Sequence, residues 1–97
     1  MRHDDPLIAA IRIFCKAAEL PVYDRRLDWP AKQEAMNEAL DAVLAALPAQ
    51  TADEPPLVSA ARRLAVVVAQ GAGRAWDAET PLSEAASAMQ DEFEQIR

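Results

Sequence analysis

Residues 7–20 read Leu-Ile-Ala-Ala-Ile-Arg-Ile-Phe-Cys-Lys-Ala-Ala-Glu-Leu. On a helix of 3.6 residues per turn the polar residues Arg12, Lys16 and Glu19 fall on one narrow line, and the rest of the cylinder is apolar. Such a helix must be covered on several sides. The stretch therefore dictates an all-α fold, a small four-helix bundle with an almost wholly apolar first helix at its centre. Composition agrees: 22 residues are alanine, the best helix former, and only Gly71 and Gly73 are glycine. Strand-favouring residues concentrate at Val66–Val68 alone, and a strand there has no second strand to pair with.

The 97 residues make a single helical domain spanning 1–97. A chain of this size buries roughly 64% of its unfolded surface, so a second copy or a partner would add useful apolar cover.

Helices are predicted near 6–20, 30–47, 56–72 and 81–96. Asp5-Pro6 starts the first, with aspartate as cap and proline where no N–H is needed, and Pro21 stops it. Asp28-Trp29-Pro30 precedes the second, with Trp29 pushed away from helical geometry by the proline after it. Met36, Leu40, Val43, Leu44 and Leu47 form the second helix's apolar stripe. Residues 48–56 carry three prolines and no large apolar side chain, so they read as a mobile loop, with Asp53 a candidate cap for the third helix. Leu57, Ala61, Leu64, Val68 and Ala72 mark that helix, which either stops at Gly71 or Gly73 or continues its period through Ala75 and Trp76, the glycines then letting another helix approach closely. Thr80-Pro81 opens the fourth, whose stripe is Leu82, Ala85, Ala86, Met89, Phe93 and Ile96.

The net charge of −6 is unevenly spread: +1 over residues 1–26, −3 over 27–70 and −4 over 71–97. Phosphate binding needs clustered Lys and Arg, so direct nucleic-acid binding is not expected. No run approaches a membrane span, the opening Met-Arg-His-Asp-Asp-Pro is not a signal peptide, and Cys15 stands alone, so a cytoplasmic protein without a disulfide is expected.

Chemistry-bearing residues are few. His3 and the terminal amine together match a square-planar Cu(II) or Ni(II) site, a property of any chain with histidine third, and one histidine and one cysteine are too few for structural zinc. Cys15 falls in the apolar face of the first helix and reads as core. Asp91 and Glu92 point to different sides of a helix and form no acid–base pair. Gly71-Ala-Gly73-Arg74 follows no strand and reads as a turn, not a phosphate loop. No enzyme activity, cofactor or metal is expected.

The lead on function lies in the aromatic residues. Phe14 and Phe93 belong to apolar stripes, but Tyr23 and Trp29 flank Arg25 and Arg26, and Trp76 follows Arg74. Tyr, Trp and Arg dominate interface hot spots, because they combine rigid area with hydrogen-bonding ends. The competing reading is a lid, in which a loop tryptophan folds onto the core and arginine covers it by stacking. The expectation is a protein-interaction module, an adaptor, regulator or inhibitor, presenting Tyr23, Arg25, Arg26, Trp29, Arg74 and Trp76 to a protein partner or to a second copy in a homodimer. Arg12 and Lys16, next to Arg25 and Arg26, would add basic character suited to an acidic surface or a phosphate. An alternative reading is a decoy whose Glu84, Asp91, Glu92 and Glu94 imitate nucleic-acid phosphates and block a nucleic-acid-binding protein, as a mobile-element or phage inhibitor would. A third reading is a small-ligand binder with its pocket between helices.

Overall fold

The computed structural model describes residues 5–71, 76 and 79–96. The chain is all-α, with four helices and, among the described residues, no strand: α1 Pro6–Ala18, α2 Asp28–Ala46, α3 Pro56–Ala69 and α4 Pro81–Ile96. It divides into two compact units, Met1–Ala46, in which α1 packs on α2, and Leu47–Arg97, in which α3 packs on α4.

In the first unit, the Asp5 side chain caps α1 by accepting from the Leu7 N–H at 2.8 Å, and Pro6 takes the first helical position. The helix ends two residues earlier than the sequence reading. Glu19 N–H donates to the Cys15 and Lys16 carbonyls and Leu20 N–H to that of Ala17, so the helix tightens and stops. Pro21 forces this, since it has no N–H and keeps the residue before it out of the helical region. Leu7, Ile8, Ala10, Ile11, Phe14, Cys15 and Ala17 are buried, about half the circumference. The exposed strip contains Arg12 and Lys16 as expected, but also Ala9 and Ile13, while Glu19 falls outside the helix.

α2 begins two residues before its predicted start and takes in Trp29. The physical reason is upstream: Leu27 N–H and Asp28 N–H both donate to the Asp24 carbonyl, so a turn runs straight into the helix. Pro30 then sits in the first turn, where its missing donor leaves no helical bond unmade. Met36, Ala39, Leu40 and Val43 are buried, and Leu44 and Leu47 are half-buried.

In the second unit, α3 starts from Pro55 without a side-chain cap, so Asp53 does not play that part. The buried residues are Leu57, Val58, Ala61, Leu64 and Val67; Val68 is half-exposed, and Ala72 lies outside the described residues. Gly71 follows the helix at φ +83°, with its N–H bonded to the Val68 carbonyl, the left-handed stop that glycine permits. Gly73 lies outside the described residues. Arg62 ties the proline-rich segment to α3. Its Nε donates to Glu54 Oε1 at 2.9 Å and its Nη2 to the same oxygen and to the Pro48 carbonyl, while Ser59 Oγ bonds the other carboxylate oxygen. α4 opens with Thr80 Oγ1 accepting from Ser83 N–H, followed by Pro81. Leu82, Ala85, Ala86, Met89 and Phe93 are buried as the stripe predicts, but Ile96, the final helical residue, is exposed. No polar or charged side chain is buried among the described residues.

Candidate functional site

The connection between α1 and α2 is built by two aspartates. Asp28 Oδ2 accepts from the backbone N–H groups of Tyr23 and Asp24, both at 2.9 Å. Asp24 Oδ1 accepts from Arg26 N–H at 2.9 Å, and the Asp24 carbonyl receives Leu27 N–H at 3.1 Å and Asp28 N–H at 2.7 Å. Aspartate suits this task because its short side chain reaches nearby backbone donors. The bonds from the Asp24 and Tyr23 amides hold the Asp28 carboxyl below its ordinary value, and slight burial opposes them. With both carboxylates turned to the backbone, residues 23–28 have a defined shape set by their own hydrogen bonds.

That shape holds large side chains in solvent. Tyr23 is 91% exposed and Leu27 72% exposed, so neither serves as a core lid. Leu20 and Val22 are exposed as well, as are Arg25 and Arg26. The three aliphatic residues were missed from sequence. For Val22 and Leu27 the available signal was their presence in a connection without helical period, where no stripe claims them; Leu20 reads as the end of the first helix, which stops at Ala18 instead. Trp29 differs: it is half-buried, with the Arg25 guanidinium 5.2 Å and the Lys32 ammonium 5.9 Å from the ring centroid. Two cations on one ring are worth about 0.5–1 kcal/mol each at exposed sites, so the stack stiffens the start of α2.

Of the six predicted patch residues, Tyr23, Arg25, Arg26 and Trp29 therefore share this turn. Arg74 lies outside the described residues. Trp76 belongs to the second unit, where it is half-buried and lines a shallow open depression with Glu79, Ser83, Glu84, Ser87, Ala88 and Asp91. Along α4, Glu84 and Asp91 lie two turns apart on one line, both exposed; Glu92 is half-buried about a quarter-turn away, and Glu94 is exposed.

Near Pro48, the Arg62 hydrogen bond holds the Glu54 carboxyl below its ordinary value, and Glu54 in turn raises the guanidinium. This pair serves the loop. Cys15 is buried, His3 lies outside the described residues, and among the described residues no three His, Cys, Asp or Glu side chains are grouped to hold a metal ion. No helix among those residues is long and apolar enough to cross a membrane. A scan against protein-family models and searches of curated proteins and of solved structures find no match to the chain.

Proposed function

We propose that this chain is a non-enzymatic protein-interaction module of the cytoplasm, an adaptor, regulator or inhibitor that engages a protein through the turn between α1 and α2. The carrying observation is the solvent position of Tyr23 and Leu27 on a turn whose backbone is fixed by Asp24 and Asp28. An exposed tyrosine and leucine gain most by burial against another surface, and a preshaped turn loses less entropy when it binds. Arg25, Arg26 and Trp29 complete a hot-spot composition around them.

The test compares wild type with Tyr23→Ala/Leu27→Ala in stoichiometric capture from native-host lysate, with circular dichroism as the folding control. Loss of a partner from the folded variant supports the reading; retention of the same partner refutes it. The acidic-decoy reading rests on the exposed Glu84, Asp91 and Glu94 of α4. It requires a partner that binds nucleic acid, strong sensitivity to salt, and loss of capture when these carboxylates and Glu92 are reversed to lysine.

A further inference from the structure

We infer that the surface centred on Tyr23 and Leu27 takes an acidic partner segment bearing an apolar anchor, an inference that rests on the interaction-module reading and gives its partner a chemistry. Charge is the first support. Residues 12–32 carry five cations, Arg12, Lys16, Arg25, Arg26 and Lys32, against three carboxylates, Glu19, Asp24 and Asp28, for a balance of +2. The whole chain stands at −6, so everything outside this stretch sums to −8. This basic stretch coincides with the exposed apolar side chains; residues 55–76, with Arg62, Arg63 and Arg74 and no carboxylate, are also basic, but Arg62 there is bonded to Glu54.

The second support is how two of those three carboxylates are used. Asp24 and Asp28 accept backbone N–H groups within the turn, so their charge is turned toward the chain's own amides, while Glu19 is exposed at the end of α1. Arg12, Lys16, Arg25 and Arg26 are all exposed. Lys16 is in the last turn of α1, from which the connection leaves, and Arg25 and Lys32 are held near Trp29. Four exposed cations therefore share this stretch with Leu20, Val22, Tyr23 and Leu27, against one exposed carboxylate, Glu19, that is not bonded to the turn's amides. At physiological ionic strength charges more than about 8 Å away are largely screened, so an acidic segment at this turn responds to local cations rather than to the net charge. The carboxylates of residues 33–54 and 77–94 disfavour the same segment there, which contributes to specificity by repulsion.

The experiment pans a random linear-peptide display library on the immobilised full chain at low ionic strength. The recovered peptides are then measured against wild type, Arg26→Glu, Arg25→Glu/Arg26→Glu and Tyr23→Ala/Leu27→Ala. Expected are peptides with Asp or Glu flanking an aromatic or aliphatic residue, binding that weakens as salt rises, and losses of about tenfold or more with each double variant. Arg26→Glu alone keeps the Arg25–Trp29 stack and is expected to weaken the same peptides.

Peptides that need Tyr23 and Leu27 but show no acidic enrichment, and ignore charge reversal, overturn the acidic partner and leave the interaction surface standing. Enrichment no better on wild type than on Tyr23→Ala/Leu27→Ala overturns both. A reversible dimer in sedimentation, abolished by the same substitutions, makes a second copy the occupant and also overturns the inference.

Discussion

Replacing Tyr23 and Leu27 together by alanine separates a docking surface from a core lid. Tyr23 is 91% exposed, so less than a tenth of its surface is out of water. Leu27 is 72% exposed, so little more than a quarter of it is buried. Complete burial of such side chains is worth roughly 1.5–3 kcal/mol each, which limits the combined loss to about 1 kcal/mol. For a domain of this size that corresponds to a fall in Tm of at most about 4–8 °C. The assay is helical ellipticity followed through thermal and urea unfolding. Binding should respond far more strongly, because truncating hot-spot side chains costs about 2 kcal/mol or more each, roughly thirtyfold in Kd per residue. A stability loss above about 2 kcal/mol, with the denaturant slope unchanged, would refute the reasoning: both side chains would then be core cover, and the turn would offer no free apolar surface.

Leu64→Ala, at a fully buried α3 position, is expected to lower unfolding stability by about 2–5 kcal/mol, measured in urea; an effect under about 1 kcal/mol would contradict the packed second unit. Gly71→Ala places a Cβ where no atom lies within 4 Å but φ is +83°, so backbone strain alone applies and about 1 kcal/mol should be lost in the same assay. Asp28→Ala should speed amide exchange at Tyr23 and Asp24 while α2 stays protected. Because the folded carboxyl titrates below its ordinary 3.8, its support for the turn is present above that value and fades as pH falls through the depressed folded pKa, which amide exchange against pH reads directly. Arg62→Ala should return the Glu54 carboxyl upward toward 4.5 in an NMR titration and free the Pro48 end of the loop; an unchanged Glu54 would show that Arg62 does not hold it.

Helices were legible because their signals are local and repeated. The pairs Asp5-Pro6 and Thr80-Pro81 supply a cap and a proline at the first position, and both helices start where these place them. The 3.6-residue stripes put Phe14, Leu40, Leu64 and Met89 inside, since one apolar face per helix can be buried only one way round. Helix ends were less legible. Trp29 reads as extended from the proline after it, yet the Asp24 turn carries the chain into the helix earlier, a balance of bonds that no single dipeptide encodes.

For the candidate site, sequence alone determined which residue types stand together: two arginines between a tyrosine and a tryptophan, in a stretch of positive balance. It did not decide which of them face water. That depended on the tertiary structure, where Asp28 reaches back to the Tyr23 and Asp24 amides and fixes a turn that leaves Tyr23 and Leu27 outside while Trp29 lies half-buried between two cations. Exposure is set by what surrounds a side chain in space. In a connection without periodicity, neighbours in sequence do not reveal those surroundings, whereas in a helix they do.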